Sequence, residues 1–191
     1  MQSNQQKAKI LALSGSLKAD SLNQRLVKAA AQIAAEQGAE VNLIALRDYP
    51  LPLFNEEIEP EENPILNDLR GLFAAADGLL IASPEYNGSL TPALKNVIDW
   101  VSRPNKNTGY TPRYAQQTAA IIATSPGGLG GLRGLTHVRE ILTNLGTLVV
   151  PSQVAVPNAY EAFDENGKLV NSAMQDRLAM TVEQFLAVTQ R

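Results

Sequence analysis

The chain contains no cysteine in its 191 residues, which excludes disulfide frameworks, zinc–thiolate sites, iron–sulfur clusters and cysteine nucleophiles. Any redox chemistry must therefore be brought by a bound cofactor. There is a single histidine, His137, and it sits off the apolar stripe of its helical segment, where it reads as a surface or interface residue. A histidine-dependent catalytic triad has little support, and no Gly-x-Ser-x-Gly elbow or Gly-Lys-Ser/Thr phosphate loop occurs. The formal charge is −3 with no run of Lys and Arg, so nucleic-acid binding is disfavoured. No apolar segment is long enough to span a bilayer. The polar stretch Met1–Lys7, expected to be flexible, lacks the apolar core of a signal peptide, so the expected location is cytoplasmic. Glu56, Glu57, Glu59, Glu61 and Glu62 crowd one loop, which reads as solvated surface rather than a metal site.

The length fits one domain, and the patterning that is present is α/β. Short apolar runs at Ile10–Leu13, Leu79–Ala82, Ala119–Ala123 and Leu148–Val150 are bounded by Ser, Gly or Pro, as in central parallel strands buried on both faces. Val41–Leu46, with a polar interruption and an Arg-Asp exit, suits an edge strand. Between them the apolar residues take a helical period: Leu22, Leu26, Ala30, Ile33; then Ile65, Leu69, Leu72, Phe73, Ala76; then Leu94, Val97, Ile98, Val101. Thr91-Pro92 marks a helix start. A fourth series, Leu135, Val138, Leu142 and Leu145, stops at Gly146, and a fifth, Met174, Leu178, Val182 and Phe185, follows Ser172 with Gln175 placed for a capping box. Strict βα alternation predicts a doubly wound five-stranded parallel sheet with helices on both faces and the flavodoxin-like order 2-1-3-4-5. In such sheets the ligand lies beyond the carboxyl ends of the strands, at the switch point between the first and third. The Pro- and polar-rich stretches Asp48–Glu62 and Arg103–Gln117 read as ordinary surface loops.

Three loops at that end have ligand-like composition. The first, Ser14-Gly15-Ser16-Leu17-Lys18-Ala19-Asp20-Ser21-Leu22-Asn23, joins a strand to a helix start, where hydroxyls, amides and the Lys18 charge suit a phosphate, although the same residues also serve as helix caps. The second, from Ser83 to Pro92, offers the aromatic face of Tyr86 and the turn-forming pair Asn87-Gly88 to a planar heterocycle. The third, Ser125 to Gly134, carries five glycines, an entropic burden that close backbone approach to a ligand would explain. Its Gly128-x-Gly130 spacing is followed by Arg133 where a dinucleotide fingerprint needs glycine. Phosphate donors, a planar-ring surface and a glycine platform together suggest a mononucleotide flavin.

The same loops resemble the NADPH-dependent FMN reductase family of flavodoxin-like quinone, chromate and azo-dye reductases. The most specific stretch runs from Leu80 to Trp100 through Ser83-Pro84-Glu85-Tyr86-Asn87-Gly88-Ser89; Gly15-Ser16-Leu17-Lys18, Ser21-x-Asn23, Leu51-Pro52-Leu53-Phe54 and the 125–133 segment follow the family in order, up to about Pro157. The resemblance implies that Ser14, Ser16, Ser21 and Asn23, with Lys18 where arginine is common, hold the FMN phosphate. It implies that Pro84, Glu85, Tyr86, Asn87 and Gly88, with Ser125, Gly127 and Gly128, contact the isoalloxazine. It further implies hydride transfer from NADPH or NADH to FMN, a small electron acceptor such as a quinone, metal oxyanion or azo compound, and a homodimer or homotetramer meeting around Leu51–Glu62 and Ala93–Arg103. No catalytic side chain is needed, because the flavin carries the chemistry. A flavodoxin-type electron carrier or a flavin-binding sensor is the alternative on the same fold.

Overall fold

The computed structural model describes residues 7–58 and 63–189, so Glu59, Glu61, Glu62 and the first six residues lie outside the described residues. Strand β1 (Lys9–Ser14) leads to α1 (Leu22–Glu36), β2 (Glu40–Ala45), α2 (Pro64–Ala75) and β3 (Gly78–Ala82). A hairpin of β4 (Glu85–Tyr86) and β5 (Ser89–Leu90) precedes α3 (Pro92–Val101), and β6 (Thr118–Thr124), α4 (Leu132–Asn144), β7 (Leu148–Val156) and α5 (Ser172–Thr189) complete the order. The five longer strands form one sheet in the order β2-β1-β3-β6-β7, with every pairing parallel. This is the expected 2-1-3-4-5 order, with the hairpin strands interposed in the numbering.

Strand side chains alternate between faces, and each face has its own helices. Ile10 and Ala12 point to the side covered by α1 and α5, where Leu26, Val27, Val182 and Phe185 are fully buried. Leu11 and Leu13 point to the other side, against Leu69 and Phe73 of α2, Leu94 and Ile98 of α3 and Leu135 and Leu142 of α4. Helices α1, α2 and α3 start on side-chain caps: Ser21 accepts from Gln24 N, Asn63 from Ile65 N and Leu66 N, and Thr91 from Leu94 N. No helix among the described residues is long and apolar enough to cross a membrane.

Three expectations require correction. The last strand is not central and does not stop at Val150: β7 forms the sheet edge opposite β2 and runs on to Val156. Pro151 looks like a terminator, but it sits in a bulge, where pairing shifts from Ala119↔Val149 to Ile121↔Gln153, and an edge strand tolerates a residue with no N–H. The carbonyls of Val150 and Pro151 accept instead from Arg139 Nη1 (3.0 Å) and Nη2 (3.4 Å). Helix α5 is capped by Asn171, whose Oδ1 accepts from Met174 N (3.0 Å), rather than by Ser172; the Gln175 carboxamide oxygen accepts from Leu169 N (3.1 Å). The 103–117 stretch is not a simple surface loop. Asn105 bridges to Tyr110, Tyr114 is buried, and Gln117 Nε2 donates to the carbonyls of Phe73 (2.6 Å) and Ala76 (2.9 Å). The described part of 48–62 is an exposed surface loop, anchored where Pro52 O accepts from Asn96 Nδ2 (2.9 Å) and Trp100 Nε1 (2.8 Å).

Candidate cofactor site

The carboxyl ends of β1, β3 and β6 are adjacent, so the loops after Ser14, Ala82 and Thr124 leave the sheet side by side. In the first loop Ser14, Ser16 and Ser21 are buried, and each hydroxyl oxygen is an acceptor: Ser14 Oγ from Ser16 N (3.3 Å), Ser16 Oγ from Lys18 N (3.2 Å) and Ser21 Oγ from Gln24 N (3.2 Å). Among the described residues none of the three hydroxyls donates, so three O–H protons remain for an outside acceptor. The amides of Leu22 and Asn23, in the first turn of α1, have no carbonyl to reach within the helix. A donor-only cradle at the positive end of a helix dipole matches a phosphate dianion. Lys18 is exposed and, with Asp20, Arg25 and Lys28, lines a hollow of about 480 Å³ beside the loop.

Asn23 is also buried but differently engaged. Its Nδ2 donates to Thr124 O (2.8 Å) and its Oδ1 accepts from Thr124 N (3.0 Å), so the side chain joins the first loop to the root of the third. Thr91 joins the first loop to the second, its hydroxyl donating to Gly15 O (2.5 Å) while it caps α3. Gly15 is required there, since a Cβ would lie 2.9 Å from that of Leu94.

In the second loop Asn87 and Gly88 have φ of 53° and 81°, the left-handed pair that closes a tight hairpin, and this turn lifts Tyr86 into solvent at 55 % exposure. The hairpin was not expected from the sequence, although the Asn-Gly pair signals it. Pro84 is buried at its base, and the Glu85 carboxylate turns away toward α4, where it pairs with Arg133.

The glycines of the third loop divide into two groups. Gly130 and Gly131 have φ of 61° and 90°, and a Cβ would meet the Val156 backbone at 2.7 Å or the Ala123 Cβ at 2.8 Å. At Gly134 it would meet Ser89 O at 3.2 Å. At Gly128 it would meet nothing within 4 Å, and at Gly127 only Ser125 Oγ at 3.7 Å. The chain's own packing therefore requires glycine at 130 and 131 and is tight at 134, but makes no such demand at 127 and 128. Two open glycines beside a phosphate cradle fit a planar ring laid against the backbone. His137 is exposed, with Nδ1 2.8 Å from Ser89 Oγ, and is part of the hairpin's support.

A five-stranded flavodoxin-like sheet, with a phosphate cradle after its first strand and two further loops at the switch point, defines a mononucleotide-binding α/β protein. The model of the NADPH-dependent FMN reductase family matches residues 8–161, and the chain belongs to that family. It is an FMN-dependent NAD(P)H oxidoreductase. It is 34 % identical over 188 residues to an NADPH:quinone oxidoreductase of Arabidopsis thaliana, covering 96 % of this chain and 92 % of the relative. An NAD(P)H-dependent FMN reductase of Pseudomonas aeruginosa is 31 % identical over 177 residues, covering 92 % and 91 %. Among solved structures, the flavoenzyme NAD(P)H:(acceptor) oxidoreductase of Paracoccus denitrificans superposes with a TM-score of 0.81 at 25 % identity, covering 95 % of this chain and 97 % of that one.

Proposed function

We propose that the whole chain acts as one FMN-binding domain that oxidises NADPH or NADH and reduces a quinone in a ping-pong cycle. The three buried serine oxygens that only accept, set at the start of α1, carry this reading. When bound, FMN supplies the acceptance of hydride and its return as two electrons and a proton, so that NADPH, H⁺ and quinone become NADP⁺ and hydroquinone. The chain supplies binding and orientation. Ser14, Ser16 and Ser21 donate their hydroxyls to the phosphate with the α1 amides, Lys18 adds charge from outside, and Asn23 holds the first loop on β6. Pro84, the Glu85 backbone, Tyr86, Asn87 and Gly88, with Ser125, Gly127 and Gly128, would hold the isoalloxazine. Tyr86 and Leu129 are exposed on the second and third loops, which would leave bound flavin accessible to nicotinamide and acceptor in turn.

Quinone is favoured by the activity of the Arabidopsis relative, an NADPH:quinone oxidoreductase, while a metal oxyanion or azo compound is the alternative small acceptor. Exposed Leu53 and Ile58, on the segment fastened to α3, support a homodimer or homotetramer that meets there. The proposed location is the cytoplasm. The test is anaerobic: NADPH should bleach the yellow holoprotein and quinone should restore its colour, with parallel double-reciprocal plots at varied quinone. Flavin that binds but resists NADPH would identify a carrier or sensor instead.

A further inference from the structure

The link between the second and third loops is made by a charged group. Helix α4 begins behind Gly131, which has left-handed φ and no side chain; Leu132 N reaches Leu129 O (3.1 Å), but the next two amides, of Arg133 and Gly134, have no cap from the N-cap side chain. Glu85 takes that position from across the hairpin. Its Oε2 accepts from Arg133 N (3.0 Å) and Gly134 N (3.2 Å), and its Oε1 accepts from Arg133 Nε (2.7 Å) and pairs with Nη2. The Glu85 side chain is 7 % exposed, whereas that of Arg133 is 64 % exposed. Burial alone would raise the carboxyl pKa; hydrogen bonds from the Arg133 side chain and the Gly134 amide, with the Arg133 charge, outweigh it and hold the group ionised below its usual range.

We infer that Glu85 is a positioning residue whose carboxylate is a remote N-cap of α4 and thereby sets the gap between the 86–88 turn and the Gly127–Gly128 platform. This rests on the FMN site proposed above. The direct ring contact suggested by resemblance is not open to this side chain, which is fully committed to α4. All four hydrogen-bond and charge links run from the hairpin to the first turn that follows the glycine loop, so the two walls of the site move as one body while Glu85 is ionised.

The test compares Glu85→Ala, Glu85→Gln and a core control, Val182→Ala, which lowers stability from the far side of the sheet. FMN affinity is read by flavin fluorescence on apoprotein well below its melting temperature, together with the visible circular dichroism of bound flavin and amide exchange at residues 132–134. Glu85→Ala should weaken FMN about tenfold, alter the dichroism and accelerate that exchange, and Glu85→Gln, which keeps one acceptor oxygen, should weaken FMN about threefold. Val182→Ala should lower the melting temperature without changing FMN affinity. Wild-type affinity and dichroism in both Glu85 variants, with only the melting temperature reduced, would reduce Glu85 to a simple helix cap and overturn the inference. If Glu85→Ala does not fold, Glu85→Gln decides on the same readouts. Failure of the unsubstituted protein to bind FMN would overturn the site reading and this inference together.

Discussion

Gly130 and Gly131 differ from Gly127 and Gly128 although all four lie within five residues of one loop. The first pair is held in left-handed backbone against β7 and β6, and the second pair lines open space. Composition alone treats them alike, but one pair is demanded by the fold and the other is not, which is why the second is proposed to face the flavin. The strongest challenge to this contrast is Gly130→Ala, which places a methyl 2.7 Å from the Val156 carbonyl carbon in a disfavoured conformation. It should cost about 3 kcal/mol, a fall of roughly 6–12 °C in the apoprotein melting temperature. An unchanged melting temperature would mean that the two pairs do not differ.

Asn23 extends the contrast to the first loop, where both ends of its carboxamide are engaged by the fold while the neighbouring serine hydroxyls only accept. Asn23→Ala leaves the buried amide and carbonyl of Thr124 without their partner and should destabilise by about 2 kcal/mol, measured by urea unfolding of the apoprotein. Gly128→Val should show the opposite pattern, with apoprotein stability within about 0.5 kcal/mol of the parent and FMN affinity about tenfold weaker by fluorescence titration. A Gly128→Val protein that binds FMN normally would remove the platform from the site. The smallest effect is one of pH. Because the folded Glu85 carboxyl titrates below its ordinary value of 4.5, its contribution is complete above that value and is lost as pH falls through the folded one. The stability difference between the parent and Glu85→Gln, followed by urea midpoints from neutral to acidic pH, should therefore shrink on acidification.

Much of the fold was readable because buried parallel strands are short apolar runs with clear punctuation, and helix starts such as Thr91-Pro92 are local signals. What escaped was either very short or long-range. Two-residue strands at 85–86 and 89–90 have no periodicity to detect, and Pro151 imitates the end of a strand unless the edge position and bulge of β7 are known. The residue types from which the candidate site is proposed, the serines of the first loop and the Asn-Gly turn, are local features of the sequence as well. The scaffold of that site is not local. Asn23 meets Thr124 across 101 residues, Thr91 meets Gly15 across 76, and Glu85 meets Arg133 across 48, so each loop is tied to the other two by partners that no local pattern connects. The sorting of the five glycines likewise depends on what β6, β7 and the hairpin bring against them.

Trp100 is the only tryptophan in the chain; it is buried, hydrogen-bonded to Pro52 and set edge-on to Phe54 with ring centroids 4.8 Å apart. The protein thus contains one indole, whose emission lies to the red of its five tyrosines, attached to the segment proposed as the subunit contact. Detachment of that segment would expose the indole to water and shift its emission to the red. Loading of a flavin, whose absorption overlaps indole emission, would dim the same band by energy transfer. A single unlabelled emission spectrum therefore has separate channels, wavelength and intensity, for assembly and cofactor occupancy.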